Sequence, residues 1–334
     1  MRHLTLTIVL GLLALPTAHA QTPAPGRYAA IERLEFNRRA VEWAEPIFWI
    51  SDANRNGAIE PTELAVLWGL GDGDRTRFIR DGAFTPHFDA VYDELRQRPS
   101  LAGLGADERL RREVVLDELA QGRPTLVQTI LLDPRDQRLA AHLEKVARLI
   151  ERLYARQTGV LGLDERIPAD DTASRALFFR NQGPFCEAPR TETNPACNAL
   201  ADRPQRISGI YPASIQADPK FCEVLETRPD AEVLMKPFVV VRHKDEGRAD
   251  GKAATDELVA VPYEVAFADD MRAASKELLA AARVLDGDAS EAAFKTYLEA
   301  AAKAFLDGSW FKADAAWKAM TATNSRWYLR VGPD

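Results

Sequence analysis

Residues 52–63 read Asp-Ala-Asn-Arg-Asn-Gly-Ala-Ile-Glu-Pro-Thr-Glu. Oxygen-bearing side chains stand at alternate positions, Asp52, Asn54 and Asn56. Gly57 follows at the sixth position, where a sharp turn favours a residue without a Cβ. Ala58 has only its carbonyl to offer, Ile59 is apolar, and Glu60 and Glu63 place carboxylates at the ninth and twelfth positions. The flanks read as helices. Ile47 and Phe48 take the apolar positions ahead of the loop, and Leu64, Leu67 and Trp68 recur at helical spacing behind it. Pro61 suits the first turn of the following helix, where its missing N–H has no helical partner.

This stretch resembles the twelve-residue calcium loop of an EF-hand. The resemblance implies a Ca²⁺ ion held by Asp52, Asn54, Asn56, the Ala58 carbonyl, Glu60 through water, and both carboxylate oxygens of Glu63. Ile59 is the apolar residue that in such motifs pairs with a partner loop. Ser51 departs from the usual apolar residue ahead of the aspartate. Asn54 and Asn56 are neutral and Arg55 is positive, so the expected affinity falls in the weak extracellular range, on the order of 10⁻⁴ to 10⁻³ M. A second loop begins at Asp72-Gly73-Asp74, with Ile79 in the matching apolar position. Arg77 stands where the glycine belongs and Ala83 where the last glutamate belongs, so the stretch reads as a degenerate partner loop or a plain acidic turn, the turn being favoured.

The N-terminus reads as a secretory signal peptide over residues 1–20. Arg2 and His3 begin it, Leu4 to Leu15 is apolar, Pro16 breaks the run, and Ala18-His19-Ala20 is a small-x-small cleavage site. The expected mature start is near Gln21, and the protein is expected to be exported, periplasmic or secreted. No Cys follows the cleavage site to take a lipid anchor, and the apolar run is too short to span a membrane.

Apolar residues make up 46% of the chain, ample for a core. Acidic residues outnumber basic ones, 50 to 43, leaving a net charge of −7. That balance argues against a nucleic-acid or anionic-membrane partner. The sequence does not name a protein or peptide partner.

Along the chain, Arg27 to about Ile50 is helical by pattern, with Ile31, Leu34, Ala40, Val41, Ala44 and Ile47 as the buried stripe. Residues from Ala106 to Thr158 read as two helices broken near Asp133-Pro134. The second carries an apolar face of Leu139, Leu143, Val146, Leu149, Ile150 and Leu153. A Gly-, Asp- and Pro-rich stretch from Thr158 to Asp171 marks a boundary. Cys186 and Cys197 lie close together in a turn-rich loop, a spacing that suits a disulfide in an oxidising compartment, with Cys222 left over and able to pair with either. Val233 to Val241 and Glu257 to Tyr263 are β-rich and read as a hairpin. Phe267 to Ala319 returns to helix with a break at Asp286-Gly287-Asp288, and Ser325 to Val331 reads as a strand. The expected fold is mainly α with a minor β component (α+β). Its parts are the leader at 1–20, a loop-bearing helical region at 21–105, a helical region at 106–180 and an α+β region at 181–334.

The last third carries a second resemblance. Ile210-Tyr211-Pro212, Leu258-Val259-Ala260-Val261-Pro262-Tyr263, Ala280-Ala281-Ala282, Ala304-Phe305-Leu306, Ala315-Ala316-Trp317 and Val331-Gly332-Pro333 occur in this order. Together they resemble part of the zinc metallopeptidase domain related to dipeptidyl peptidase III. In that family a His-Glu-x-x-x-His type zinc motif lies after the Val-Gly-Pro segment, where this sequence stops. The five histidines here are His3, His19, His87, His142 and His243, and none is followed by Glu and a second His at ligand spacing. The resemblance therefore implies ancestry and fold, no catalytic residue and no zinc in this chain, and a frame cut from a longer enzyme. No P-loop, dinucleotide-binding glycine pattern or Gly-x-Ser-x-Gly elbow is present. The main reading is an exported calcium-binding protein without catalysis in this chain. The alternative is the N-terminal portion of a zinc-dependent peptidase whose active site lies beyond residue 334.

Overall fold

The computed structural model describes residues 26–66, 75–97, 101, 103–121, 133–244 and 257–333. The leader, Leu67 and Trp68, Asp72 to Asp74 and most of the charged loop before Glu257 lie outside them. The fold is mainly α with minor β. Helix accounts for 53% of it, and the sheets among the described residues are two-stranded antiparallel hairpins.

A 3-10 turn at Arg27–Ala29 leads into α1 (Arg33–Glu42). Strands β1 (Ile47–Trp49) and β2 (Leu64–Val66) flank the 52–63 loop. A short α2 (Arg75–Phe78), the hairpin β3 (Ile79–Arg80) and β4 (Ala83–Phe84), and α3 (Pro86–Gln97) follow. Then come α4 (Ala106–Ala120), α5 (Pro134–Gln157) and α6 (Thr172–Asn181). Three short helices, α7 (Ala213–Gln216), α8 (Phe221–Glu226) and α9 (Ala231–Leu234), precede the hairpin β5 (Val239–His243) and β6 (Leu258–Pro262). The chain closes with α10 (Tyr263–Ala266), α11 (Ala268–Val284), α12 (Ala292–Asp307) and α13 (Phe311–Lys318).

The largest core lies where α5, α11 and α12 meet. Leu139, Val146 and Leu153, one helical stripe of α5, face Met271, Leu278, Phe294, Tyr297 and Phe305. Ala281, Ala301 and Ala302 are fully or almost fully buried and let these helices approach closely. Helix α5 starts where its sequence dictates: Asp133 caps it by accepting the Arg135 N–H, and Pro134 fills the first turn. A second core gathers Phe36, Trp49, Ile59, Leu64, Phe88 and Tyr92. Ile59 belongs to it, so the 52–63 loop is pinned from inside. A third core surrounds α4 and α6. The Gly- and Pro-rich boundary after α5 is tied down: the Gly209 N–H donates to the Gln157 carbonyl at 2.7 Å, an approach that leaves no room for a Cβ.

Four expectations need correction. Helix α1 ends at Glu42 rather than near Ile50. Ala44 takes a left-handed φ of 55°, and Pro46, which lacks an N–H and disfavours helix at the residue before it, starts an extended run. The buried face of α1 is Phe36, Asn37 and Ala40, whereas Leu34 is 40% exposed and Ala44 is also exposed. Second, Ile47 and Phe48 lie in β1 and Leu64 in β2, so the loop joins two strands rather than two helices. Third, Val233 and Leu234 belong to α9. Fourth, Ser325 to Val331 forms no strand. This stretch runs beside helices, which have no free backbone edge, and side chains hold it instead. Ser325 Oγ and the Arg326 N–H donate to Glu291, and the Val331 N–H donates to the Tyr297 hydroxyl.

Cys186 and Cys197 form a disulfide with Cα atoms 5.7 Å apart, and Cys222 is an exposed free thiol. Peptide mapping without reductant should return the 186–197 pair and an alkylatable Cys222. A bond from Cys222 to either partner would refute the assignment. A closed loop of 11 residues' separation predicts that reduction destabilises the protein by about 3 kcal/mol in the chain-entropy model.

Candidate calcium loop

The loop is built on β1, and α1 fixes that strand. Asn37, fully buried on α1, accepts the Trp49 N–H through Oδ1 at 2.7 Å and donates from Nδ2 to the Trp49 carbonyl at 3.1 Å. Arg33 donates to the Trp49 and Ile50 carbonyls. These side chains do for β1 what a third strand would. Strand β2 pairs on the other edge in the register Ile47↔Val66, Phe48↔Ala65, Trp49↔Leu64, and the Ile50 N–H donates to the Glu63 carbonyl at 2.9 Å. Ile50 and Glu63 therefore stand opposite one another at the mouth of the hairpin, and Asp52 follows two residues further into the loop.

Between them the chain curls around its own side-chain oxygens. Asp52 accepts the Asn56 N–H at 3.0 Å through Oδ1 and the Gly57 N–H at 2.9 Å through Oδ2. Asn54 Oδ1 accepts the Asn56 N–H at 3.0 Å, and Asn56 Oδ1 accepts the Ala58 N–H at 2.8 Å. Gly57 sits at φ 72°, the left-handed turn that its position calls for. Glu63 is only 5% exposed. Its Oε1 accepts the Ala53 N–H at 2.6 Å, and its Oε2 accepts the Trp49 indole N–H at 3.2 Å and the Glu60 N–H at 3.3 Å.

The residues fit a hard cation. Every donor at Asp52, Asn54, Asn56, Ala58 and Glu63 is oxygen, and a carbonyl or carboxylate oxygen that accepts one N–H keeps a second lone pair. Two features need rearrangement. Glu60 Oε1 collects the amide groups of Asn54 (2.9 Å) and Asn56 (3.1 Å), which ties Glu60 directly to two ligand side chains rather than leaving it to act through water. The carboxylates of Asp52, Glu60 and Glu63 do not all lie within 4.8 Å of one another, and neutral oxygens and water would complete the shell. Glu63 Oε2 already accepts two long bonds, and a cation there displaces one of them.

The partner of Ile59 is unexpected. Its N–H donates to the Tyr28 carbonyl at 3.1 Å. The described part of the second stretch, from Arg75 on, forms a hairpin of its own. Ile79 pairs instead with Phe84 in β3–β4, closed by Asp81 and Gly82 at φ 52° and 76°, the two positive angles of a tight hairpin turn.

The three described histidines have separate partners. His87 lies against Phe78, His142 Nδ1 is 2.7 Å from Glu277 Oε2, and His243 Nε2 is 2.8 Å from Ser214 Oγ. Among the described residues, Glu118, Cys186 and Cys197 converge within 4.8 Å, but the disulfide consumes both sulfurs. No helix among the described residues is long and apolar enough to cross a membrane.

No family model matches this sequence, and no curated protein matches it. Among solved structures, the chain is similar to the dipeptidyl peptidase III of Caldithrix abyssi, with 23% identity and a TM-score of 0.44 over 58% of this chain and 35% of that one. It is also similar to the dipeptidyl peptidase III of Corallococcus sp. strain EGB, with 21% identity and a TM-score of 0.47 over 65% of this chain and 38% of that one. The chain thus spans well under half the length of either enzyme.

Proposed function

We propose that residues 52–63 bind a calcium ion in a strand–loop–strand setting, and that the protein is exported to a compartment where calcium is abundant. The supporting observation is the curl itself. Asp52, Asn54, Asn56 and Glu63 accept the loop's own N–H groups, which gathers their oxygens in one twelve-residue turn, and each such oxygen keeps a lone pair for a cation. Export rests on the three-part leader at residues 1–20.

Calorimetric titration tests the loop. Calcium should bind with a Kd on the order of 10⁻⁴ to 10⁻³ M, and magnesium far more weakly, because the smaller ion demands strict octahedral geometry and surrenders water reluctantly. Trp49 should report binding, since its indole N–H shares Glu63 Oε2 with the ion. The calcium-dependent change in emission should disappear in Trp49→Phe. No heat and no emission change at ten millimolar calcium, roughly ten times the weak limit, would end this reading.

As a second reading we propose that the chain is the N-terminal portion of a dipeptidyl peptidase III-related zinc peptidase whose active site lies beyond residue 334, with residues 210–334 as the matching part. The motif pieces assemble around shared structure: the Ile210 carbonyl accepts the Val241 N–H at 2.8 Å, β6 pairs with β5, and Val331 is tied to Tyr297 on α12. The gene beyond the Asp334 codon decides it. An open frame running into a His-Glu zinc motif supports the peptidase, and an immediate stop codon counts against it.

A further inference from the structure

We propose that the segment Arg27–Ala30 serves as the partner of the calcium loop, a strap inside the chain that calcium tightens against α3. The proposal rests on the calcium reading of residues 52–63 and adds how that site is regulated and what it controls.

The strap touches the loop at one peptide unit. In the unit joining Ala58 to Ile59, the carbonyl is a ligand in the calcium reading, and the Ile59 N–H donates to the Tyr28 carbonyl at 3.1 Å. A cation on that carbonyl withdraws electron density from the whole peptide unit. The N–H becomes a stronger donor, as in any polarised chain of hydrogen bonds. Each ligand of this peptide therefore favours the other, and the coupling is reciprocal by linkage.

The other end of the strap is anchored on α3. The Tyr28 ring lies edge-on to Phe84, Phe88 and Tyr92 at centroid distances of 4.9, 5.6 and 5.4 Å. Its hydroxyl donates to Asp89 Oδ1 at 2.5 Å, and the Ala30 N–H donates to the Tyr92 hydroxyl at 3.0 Å. Arg27 spans Asp89 and Asp93. These contacts supply what a second calcium loop would otherwise supply, a fixed backbone acceptor opposite Ile59. Undocking the strap uncovers the aromatic face of Phe84 and Phe88 and frees the Ile59 N–H together.

Limited trypsin cleavage after Arg27 reads the strap directly, since the bond between Arg27 and Tyr28 can enter a protease only when the strap lifts. When lifting is fast, the cleavage rate follows the lifted population. On the full chain, saturating calcium should slow this cut about tenfold, within the 5- to 150-fold span of ordinary couplings. Cleavage after exposed Lys312 on α13 should change little. In return, Tyr28→Ala should weaken calcium binding about tenfold, and Tyr28→Phe, which keeps the ring but loses the bond to Asp89, should weaken it less. Calorimetry on the same samples separates the two ideas. If calcium gives no heat, the loop reading and the strap both fall. If calcium binds, yet the Arg27 cut is unchanged and both variants bind like wild type, the strap is wrong and the loop stands.

Discussion

Glu63→Gln should remove most of the calcium-dependent stabilisation of this protein. Binding to the folded state alone adds RT ln(1 + [Ca²⁺]/Kd), about 2.7 kcal/mol at a hundredfold excess over Kd. Within residues 52–63, Glu63 is the one that can offer two oxygens of a buried carboxylate, and glutamine removes the charge and one oxygen ligand together. The variant keeps nearly the same shape, so the comparison is between calcium increments and not between absolute melting temperatures. Its calcium-free form should be somewhat less stable, because Oε1 and Oε2 accept the Ala53, Trp49 and Glu60 N–H groups and an amide nitrogen cannot accept. Asn54→Asp is the counterpart. In the calcium-free protein it replaces the amide that donates to Glu60 Oε1 with a second carboxylate, so it should lower stability there. Calcium relieves that repulsion, so the increment should grow and the affinity tighten. Thermal melts with and without calcium measure both effects. Equal increments in wild type and Glu63→Gln would place the ion elsewhere or nowhere.

The turn at residues 52–63 was legible because its information is local. Twelve consecutive residues specify both the oxygens and the turn, and the structure curls them as their spacing implies. The flanks misled for an equally local reason. Apolar residues at 47 and 48 and at 64 fit one face of a helix or a short fully buried strand alike. The deciding signal was Pro46, with Ile47, Phe48 and Trp49 forming a continuous β-prone run after it. Helix α5 was visible from its periodic stripe, since a sustained period of 3.6 has no competing reading, and α11 and α12 from their Ala-rich composition. Tyr28 and Glu118 could not have been singled out. The partners of Tyr28 on α3 lie about sixty residues away, and those of Glu118 lie at 180–191. No spacing rule connects them.

Glu118 carries the last expectation, a large loss of stability on substitution. It projects from α4 with no exposed surface. Its carboxylate accepts from the Thr191 hydroxyl, from the Glu187 and Ala188 N–H groups at 3.1 Å, from Asn181 Nδ2 at 3.1 Å and from Arg180 Nη2 at 2.6 Å. Burial alone would raise its pKa. The hydroxyl of Thr191 leads the donors that oppose this, with the Glu187 N–H, Asn181 and Arg180, and together they hold the group below the usual carboxylate range. Glu118→Ala leaves the buried Thr191 hydroxyl and the neighbouring N–H groups without their acceptor and should cost about 3–5 kcal/mol, the usual result of removing one partner from a buried charged network. Glu118→Gln keeps the volume but sets an amide N–H₂ against the same donors, and should cost about 1–3 kcal/mol. The pH dependence has a definite sign. A carboxyl whose pKa is lower folded than unfolded stabilises fully above its unfolded value, roughly 4.3, and loses that contribution as pH falls through the folded value. The gap between wild type and Glu118→Gln in urea unfolding should therefore be widest near neutral pH and close in acid. The donors from Glu187, Ala188 and Thr191 lie inside the loop closed by Cys186 and Cys197, so Glu118 and the disulfide order the same turn. Their losses should be non-additive in a double-mutant cycle with both cysteines changed to serine. Additive losses, or a Glu118→Ala protein within about 1 kcal/mol of wild type, would show that the carboxylate decorates that turn rather than holding it.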